Sequence, residues 1–440
     1  MSKKTDRFFA VQILSEVVEN AAYANIALRK ALADSELDAR GRAFVTDMVN
    51  ETLRNLIQID SVINKLTPHT PVHKMKPAIR NILRIATCQV LFMEKIPPRA
   101  AINEAVTLAK VYGFENLSGF VNGILRNIDR GKPFAINDLL SPANRSPADI
   151  LSLTYSYPKW LVEEIIKWLG DQHAEVFFKN SHNPPPVVIL TNTHKTTLPQ
   201  LIESLQNEDV EASSIENSPH PFLILRKSGD ITRLAAFKKG HFFVMDPGAM
   251  RAVSAMEPQP GQTIMDLCAA PGGKSFALAC KMQNKGTILS YDIHPHRVEL
   301  ISQTRKRLGL TIVTPAAKDI CIFDPALKAT ADTVLLDAPC SSLGTIRKHP
   351  EMKYTRNLAD ISDLAAKQRQ MLSVAAKYVK PGGKIVYCTC TVAKEENTDN
   401  IQYFLKNHPQ FTLHFATQTL PTPLSDGFYV AVLANSHEEC

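Results

Sequence analysis

The chain contains 440 residues, and 45% of them are hydrophobic, which predicts several domains that each have a core of their own. No apolar run approaches the roughly 18 residues of a membrane span, and the basic start of the chain leads into an amphipathic segment instead of the apolar core of a secretory signal. We therefore expect a cytoplasmic protein that binds no membrane. The net charge of +7 is compatible with a nucleic-acid partner, although a solvated surface would give the same value.

The first 130 residues are predicted to form an all-α domain. Hydrophobic residues recur at the spacing of an amphipathic helix in several segments, and the pair Pro97-Pro98 separates two of them. Basic side chains such as Arg80 and Lys110 are interleaved with the apolar ones. This pattern is typical of a helical bundle, whose charged surface either is simply solvated or binds the phosphates of RNA. The segments are 10–21, 79–90, 102–109 and 121–128.

Two shorter regions follow this domain. Residues 131–150 contain three prolines and are predicted to be a linker. Residues 151–243 combine one helical pattern with two runs of strand-forming residues, which predicts a small α+β subdomain. The helical pattern covers 160–168, and the strand-forming runs are 187–190 and 221–225.

Strands and helices alternate from residue 244 to residue 440. This alternation predicts a mostly parallel, doubly wound sheet of the Rossmann-like α/β type. The chain as a whole is therefore expected to be a multidomain protein with an all-α part, a small α+β part and an α/β part. The predicted strands are 263–267, 287–292, 333–337, 384–389 and 428–432, and the predicted helices are 274–282 and 295–308.

A turn of small residues follows the first predicted strand of the α/β part, between Asp266 and Ser275. Small residues allow a ligand to approach the backbone, and the helix that begins here offers free N–H groups. Because ligands of open α/β sheets bind at the carboxyl ends of the strands, this turn is a candidate cofactor site; the alternative is a plain strand–helix turn. Its spacing differs from the G-x-G-x-x-G of dinucleotide enzymes. The candidate residues are Cys268, Ala269, Ala270, Pro271, Gly272, Gly273 and Lys274.

Two acidic residues extend this candidate site. Asp292 ends the next strand, where a carboxylate can accept hydrogen bonds from the hydroxyls of a ribose. Asp319 follows the third strand, where a carboxylate can accept from an adenine amine. Taken singly, each is more often a turn or cap residue. Together with the turn of small residues, they describe a pocket with the shape of adenosine.

Two of the eight cysteines lie just beyond strand ends, at the same edge as this turn. Cys340 stands in the stretch Asp337–Gly344, and Cys390 stands between two threonines. Because the cysteines are spread over a long chain and no cluster completes a zinc site, neither a disulfide framework nor a bound metal is expected. A lone cysteine ordinarily packs in the core, but core packing is a poor explanation for two cysteines beside a cofactor site. Thiol chemistry is the better interpretation for this pair.

These motifs resemble those of the bacterial ribosomal RNA cytosine-5 methyltransferases of the RsmB (Fmu/Sun) type, and the resemblance covers nearly the whole chain. Three stretches resemble the cofactor motif and the two cysteine motifs of the family, namely Asp266–Lys274, Asp337–Ser341 and Thr389-Cys390-Thr391. The turn and the terminal motif of the family are matched by Pro381-Gly382-Gly383 and Asp426–Tyr429. The N-terminal helices, including 101–106, resemble the NusB RNA-binding domain. The chain departs from the family at Met245, at Ala249 and at the additional thiol Cys388.

The resemblance implies an enzyme that transfers a methyl group from S-adenosyl-L-methionine to carbon 5 of a specific cytosine in 16S ribosomal RNA. Its partner would be the RNA of the small ribosomal subunit, preferably free of most ribosomal proteins. We expect the turn of small residues, Asp292, Asp319 and Asp337 to bind the cofactor. We also expect a monomer that holds no metal.

The chemistry explains why such an enzyme needs thiols. Carbon 5 of cytosine becomes nucleophilic when a thiolate adds to carbon 6, and a second group then promotes proton loss and release. The resemblance assigns attack to Cys390 and release to Cys340. DNA cytosine-5 methyltransferases attack with the cysteine of a Pro-Cys motif, so the chemistry alone leaves this order open. We expect Asp337 to bond the target base, Lys274 to orient it, and Cys388 to be too buried to compete.

Three alternative functions remain open from the sequence. A Rossmann dehydrogenase would show the same alternation but would leave Cys340 and Cys390 without a task. A binding-only protein, such as an RNA assembly or antitermination factor, would not need these cysteines either. A cytosine-5 methyltransferase of another RNA, such as transfer RNA, would need both cysteines.

The basic loop 346–350 either contacts the RNA backbone or is simply solvated.

Overall fold

A computed structural model describes residues 5–33, 35–140, 145–226 and 228–436. The chain divides into two compact units. The first contains the residues up to His182 and the segment Ile346–Arg356. The second contains Asn183–Thr345 and the residues from Asn357 on. Each unit is described separately below.

Helices occur throughout the described residues. In chain order they are α1 (Asp6–Asn20), α2 (Ala24–Ala33), α3 (Ala39–Arg54), α4 (Leu56–Leu66), α5 (Pro77–Phe92), α6 (Pro98–Val111), α7 (Ser118–Leu140), α8 (Pro147–Tyr155), α9 (Lys159–Leu169), α10 (Asp171–His182), α11 (Leu198–Gln206), α12 (Ala235–Lys238), α13 (Met250–Ala255), α14 (Gly273–Lys281), α15 (Pro295–Leu308), α16 (Met352–Thr355), α17 (Leu358–Tyr378) and α18 (Thr398–Asn407). None of them is long and apolar enough to cross a membrane.

The strands lie in the second unit. In chain order they are β1 (Val187–Thr191), β2 (Glu211–Ser214), β3 (Phe222–Arg226), β4 (Phe242–Val244), β5 (Thr263–Asp266), β6 (Thr287–Asp292), β7 (Val313–Ala317), β8 (Ala331–Asp337), β9 (Val379–Thr389), β10 (Phe411–Thr419) and β11 (Phe428–Asn435).

The first unit is helical, and its core is built by the apolar faces of α1–α7. The residues at helical spacing in the sequence, such as Leu14, Ile82 and Leu125, are at most 1% exposed. Pro98 stands in the first turn of α6, where a missing N–H removes no helical hydrogen bond, so the proline pair separates α5 from α6. The prediction of an all-α domain is confirmed.

The segment Ile346–Arg356 packs within the first unit through buried polar groups. Lys353 Nζ donates to the carbonyl oxygen of Arg54 at 2.8 Å, and Arg54 Nη2 donates to that of Arg347 at 3.2 Å. The Arg347 side chain is 2% exposed. For Arg347, both interpretations of the loop 346–350 are therefore wrong, because this cation is neither solvated nor accessible to RNA.

The predicted linker 131–150 is helical at both ends. Helix α7 continues to Leu140, and α8 begins at Pro147. Pro147 occupies the first turn of α8 after a capping box of Ser146 and Asp149, so this proline starts a helix where the prediction placed irregular chain. The prediction is wrong for these parts, and residues 141–144 lie outside the described residues.

A small antiparallel sheet opens the second unit, with the strand order β2-β3-β1-β4. Helix α11 packs on it through Leu201 and Leu205, which confirms the α+β character of the middle region. The helical pattern 160–168 forms α9, which belongs to the first unit. The other face of the sheet, which carries Val188 and Leu190, shares a core with α13 and α14.

Within the described residues, seven strands form the main sheet in the order β10-β11-β9-β8-β5-β6-β7. Strands β5–β9 pair in parallel, whereas β11 and β10 are antiparallel. Helices α13–α15 cover one face and α17 and α18 cover the other, as the two separate cores show. The doubly wound sheet is confirmed. The strand order reverses between β5 and β8, which is where open α/β sheets bind ligands.

Two features of this sheet differ from the prediction. Strand β10 and helix α17 were not predicted. Strand β10 is an exposed edge strand without clean alternation. In α17, buried residues such as Ile361, Ala365 and Leu372 do recur at helical spacing, and the prediction missed this pattern. Pro381-Gly382-Gly383, predicted to be a turn before the strand, lies inside β9. Only Val379 pairs with β8 before these residues, and continuous pairing with β8 and β11 begins at Lys384, so Pro381-Gly382-Gly383 form an irregularity within β9 and directly precede its regularly paired part.

Candidate active site

The carboxyl ends of the parallel strands meet at one edge of the main sheet. Asp266, Asp292 and Asp337 are the last residues of β5, β6 and β8, and Thr389 is the last residue of β9. The loops that follow these strands carry most of the predicted site residues. Parallel pairing therefore gathers side chains that are more than a hundred residues apart in the chain.

The turn of small residues is held by its own backbone. The N–H of Ala269 donates to Tyr291 O at 2.7 Å, and that of Gly272 donates to Ala269 O at 2.6 Å. Gly272 has a φ of +104°, which favours glycine, and α14 begins at the next residue. A Cβ atom built on Gly273 would meet nothing within 4 Å. The first turn of α14 therefore faces open space with N–H groups that have no partner within the helix.

Asp266 lies beneath this turn and is fully buried. Its Oδ2 accepts a hydrogen bond from Ser275 Oγ at 2.7 Å, and Ser275 Oγ also lies 2.8 Å from Ser290 Oγ. Burial raises the pKa of Asp266 to about 7, although the bond from Ser275 opposes this rise. This carboxyl group joins β5, β6 and α14 from below, so it supports the shape of the turn.

Asp292 ends β6, and Asp319 follows the neighbouring strand β7. Asp292 Oδ1 accepts from the N–H of His294 at 2.9 Å, and Asp319 Oδ1 accepts from the N–H of Cys321 at 2.9 Å. Lys318 N donates to Asp292 O at 3.0 Å, which places the two acidic residues on adjacent turns. Among the described residues, no hydrogen bond engages Asp292 Oδ2, so this oxygen is available to a ligand.

Asp337 is the polar centre of the site. Its Oδ2 lies 2.5 Å from Lys274 Nζ, and its Oδ1 accepts from Cys388 Sγ at 3.3 Å. Lys274 Nζ also lies 5.5 Å from the centre of the Phe428 ring. Burial alone would lower the pKa of Lys274, but the charge of Asp337 outweighs it and raises this pKa, so the ammonium group stays charged.

The two motif cysteines face each other. Cys340 Sγ and Cys390 Sγ are 3.3 Å apart; Cys340 is buried, whereas Cys390 is partly exposed. The contact with Cys340 lowers the pKa of the Cys390 thiol, and the same contact together with burial raises that of Cys340. The pair thus favours a thiolate on the more accessible sulfur.

Ser342 supports this arrangement. Its φ of +61° is unusual for a residue with a side chain, and such strain is typical of functional loops. In this conformation Ser342 Oγ lies 3.6 Å from Cys390 Sγ. The hydroxyl can donate to a thiolate on Cys390, and it lowers the pKa of that thiol in addition to the contact with Cys340.

Glu396 joins the two cysteine loops. Its Oε1 accepts from Ser341 N and from Gln368 Nε2, both at 2.9 Å, and its Oε2 accepts from Ser341 Oγ at 2.5 Å. Ser341 Oγ in turn lies 2.7 Å from Thr391 Oγ1. Glu396 therefore fixes the residue after Cys340 to the residue after Cys390 by buried polar contacts.

Gly344 allows a third loop to approach. Its N–H donates to Cys390 O at 2.9 Å, and its carbonyl oxygen accepts from Gly427 N at 3.0 Å. A Cβ at this position would lie 2.3 Å from Gly427 O, so only glycine fits. Gly427 belongs to the stretch that was matched to the terminal motif, which explains why that stretch accompanies the cysteine motifs.

The structure thus brings together Lys274, Asp337, Cys340, Cys388 and Cys390, and it places Asp292 beside the turn of small residues. Asp319 lies one strand further away. Burial raises the pKa of Cys388 well above its ordinary value, and burial likewise raises that of Cys268. No group of three or more His, Cys, Asp or Glu side chains in the described residues is arranged to hold a metal ion.

Sequence reasoning missed Glu396, Ser342 and Gln368. Glu396 lies beside Glu395 in a polar stretch, and nothing in the pattern distinguishes a buried glutamate from a solvated one. The available signal was its distance of six residues from Cys390, which is short enough for a loop to turn back on the motif.

Comparison with known proteins places this site in a family. The family model described as 16S rRNA methyltransferase RsmB/F matches residues 253–434. The NusB family model matches 4–130, and a ferredoxin-like domain model of the RsmF/B-like methyltransferases matches 157–232. The probable ribosomal RNA small subunit methyltransferase B of Bacillus subtilis (strain 168) is 34% identical over 93% of this chain and 90% of its own. The chain belongs to the RsmB/F methyltransferase family.

Further relatives agree with this assignment. The probable ribosomal RNA small subunit methyltransferase B of Synechocystis sp. (strain ATCC 27184 / PCC 6803 / Kazusa) is 31% identical to this RsmB/F methyltransferase over 97% of this chain and 98% of its own. The crystal structure of PH0851 superimposes on this chain with a TM-score of 0.79 and a sequence identity of 28%. The superposition includes 97% of this chain and 98% of the PH0851 chain. The similarity therefore extends over all parts of the chain.

We predict that Glu396→Gln slows methyl transfer by the RsmB/F methyltransferase roughly 10- to 150-fold. The amide would direct N–H groups at the donors Ser341 and Gln368, and lost charge-assisted hydrogen bonds of about 1.5–3 kcal/mol correspond to this range. Steady-state kinetics should show the loss mainly in kcat, because the cysteine loops shift while the turn of small residues does not.

The matched control is Glu395→Gln, which changes the neighbouring carboxylate in the same way. It should retain nearly full activity, and both variants should be checked for an unchanged unfolding midpoint. Equal activity of the two variants would show that Glu396 does not position the cysteines.

Proposed function

We propose that this RsmB/F methyltransferase transfers a methyl group from S-adenosyl-L-methionine to carbon 5 of a cytosine in 16S ribosomal RNA, with Cys390 as the covalent nucleophile. The observation that carries this proposal is the pair of thiols 3.3 Å apart, one buried and one accessible, next to the ion pair of Lys274 and Asp337. A binding protein would not need such a pair.

The cofactor suits the chemistry of the turn and its neighbours. The open space at Gly273 and the N–H groups at the start of α14 can receive a polar ligand, and Asp292 Oδ2 can accept from ribose hydroxyls. Asp319 would contact the adenine side, and Asp337 and Lys274 would line the end nearest the cysteines. Bound S-adenosyl-L-methionine supplies an electrophilic methyl group.

Cys390 would act first. Its thiolate adds to carbon 6 of the cytosine, forming a C–S bond and moving an electron pair toward carbon 5, which becomes able to attack a methyl group. The lowered pKa of Cys390 and its partial exposure support this role over Cys340. Cys388 is fully buried and donates a hydrogen bond to Asp337. These contacts favour a role in positioning Asp337 over a role as nucleophile.

Asp337 and Lys274 would hold the base during this addition. A carboxylate on Asp337 can accept a hydrogen bond from the protonated ring nitrogen or from the amino group, which stabilises the adduct. Lys274 holds Asp337 in place through their ion pair.

Cys340 would complete the reaction. After methylation, the proton on carbon 5 must leave, and the electron pair of that C–H bond then restores the ring double bond as the bond between carbon 6 and Cys390 sulfur breaks. Cys340 lies beside Cys390, and its raised pKa makes its thiolate a stronger base once formed. We infer that it promotes this release.

The substrate is inferred from the helical unit. The match of residues 4–130 to the NusB family supports RNA binding, and the relatives are named as small-subunit ribosomal RNA methyltransferases. The target cytosine must be unstacked to reach Cys390, which costs least in a single-stranded region.

We also propose that the enzyme acts as a monomer in the cytoplasm. Because the chain belongs to a methyltransferase family, the alternative of a Rossmann dehydrogenase is excluded.

We predict that Asp292→Ala weakens the binding of S-adenosyl-L-methionine by roughly 10- to 150-fold, because it removes charge-assisted hydrogen bonds of about 1.5–3 kcal/mol to the ribose. Asp292→Asn should weaken binding less, since the amide oxygen still accepts from His294 N. Isothermal titration calorimetry of the folded variants measures both.

Asp363→Ala serves as the control, because Asp363 is an exposed acidic residue on α17. Cofactor affinity that stays unchanged in Asp292→Ala would show that the cofactor binds elsewhere.

We predict opposite behaviour for the two cysteines. Cys390→Ala should abolish methyl transfer and form no covalent RNA adduct. Cys340→Ala should still attack and methylate, and should then accumulate as a protein–RNA adduct, because release is blocked. A denaturing gel with labelled RNA and cofactor distinguishes these outcomes.

Cys388→Ala is the matched control, since it removes a thiol two residues from Cys390. It should turn over without a stable adduct and retain substantial activity. A stable adduct from Cys390→Ala, with none from Cys340→Ala, would reverse the roles of the two cysteines.

A further inference from the structure

A second cavity of about 850 Å³ lies within the second unit, outside the cysteine site. Its volume is within the range of about 300–1,000 Å³ that is typical of ligand sites. The strand β11 forms part of its floor with Val430, Val432 and Ala434. None of the functions assigned to the cysteine site uses this cavity.

The same strand connects the cavity to the active site. Side chains two residues apart lie on one face of a strand, so Phe428, Val430 and Val432 point to the same side. Phe428 is the residue whose ring lies 5.5 Å from Lys274 Nζ. At a rise of about 3.4 Å per residue, the cavity begins about 7 Å from Phe428 and extends to about 20 Å from it. This is the span of a few nucleotides of extended RNA.

An irregularity in β10 directs an aromatic ring into the cavity. The pairing of β10 with β11 shifts register between Leu413 and Phe415, so that Leu413 lies opposite Leu433 and Phe415 opposite Val432. Paired residues share a face, so the bulge turns Phe415 to the cavity side and leaves Leu413 on the other. Phe415 is 45% exposed, and His414 lines the cavity beside it.

The remaining walls add cations and a second imidazole. Arg251 and Lys384 line the cavity, and one carboxylate, Glu257, pairs with Lys384 at 3.1 Å. His220 lies 3.0 Å from Ser254 Oγ, and burial lowers the pKa of this imidazole, which keeps it neutral and able to stack or to bond a base. Aromatic faces together with cations are the means by which proteins hold single-stranded nucleic acid.

We propose that this cavity binds nucleotides of the RNA substrate that flank the target cytosine, with a base stacked on Phe415 and a phosphate paired with Arg251. The occupant is single-stranded RNA, because the cavity lies on the same face of β11 as Phe428, whose ring is near Lys274, and because Arg251 gives its lining a net positive charge. The proposal rests on the proposed function, since it takes the substrate to be RNA.

The test compares two pairs of variants of the full chain in binding to protein-free 16S ribosomal RNA. Phe415→Ala should weaken binding about 5- to 150-fold, the effect of losing one stacked base. Its control is Leu413→Ala, because Leu413 is 44% exposed on the same strand but faces away from the cavity. Arg251→Ala should reduce the slope of log affinity against log salt by about one. Its control is Arg233→Ala, whose side chain is 76% exposed and outside the cavity.

Losses confined to Phe415→Ala and Arg251→Ala would support the proposal. Cavity variants that bind like their controls, or equal losses in all four variants, would overturn it. Methyl transfer to the same RNA is measured in parallel with the unaltered enzyme. If methyl transfer occurs while the cavity variants bind normally, the cavity proposal fails alone. If the unaltered enzyme transfers no methyl group but the cavity variants lose affinity, the proposed function fails alone.

Discussion

The parallel pairing of β8 with β9 is the constraint on which the site depends. Their register makes Asp337 and Cys388 direct partners, so the two cysteine loops leave the sheet side by side. Cys340 follows three residues later on one strand and Cys390 two residues later on the other, which explains why their sulfur atoms are 3.3 Å apart. The absence of a side chain at Gly344 and the carboxylate of Glu396 then hold the loops at this distance.

This juxtaposition also divides the chemistry between two identical functional groups. A proton shared by two adjacent thiols is retained more tightly by the one that lies deeper, which is Cys340. The accessible thiol is then the better nucleophile. Asp337 completes the site because its two oxygens face Lys274 and Cys388, which fixes the carboxyl group next to a position that suits the target base. The thiol that departs from the family pattern thus orients a carboxylate of the site.

The sequence predicted the strands that end at the site and the residues on the turns after them, because buried parallel strands have continuous apolar runs and small-residue turns are distinctive. It did not reveal which polar residues are buried. Glu396 and Arg347 both read as surface charges, and only tertiary contacts distinguish them. The bulge in β10 depends on register, which an exposed edge strand specifies weakly. The linker was misjudged because a proline can start a helix as well as interrupt one.

The central claim is that a methyl group is transferred to carbon 5 of cytosine in 16S ribosomal RNA. Mass spectrometry of nucleosides from protein-free 16S RNA, incubated with the enzyme and isotopically labelled S-adenosyl-L-methionine, tests this claim most directly. The account predicts labelled 5-methylcytidine from one position of this RNA. Labelled methyl groups on a ribose or on the exocyclic nitrogen of cytosine would contradict it, as would methylation of transfer RNA in place of 16S RNA.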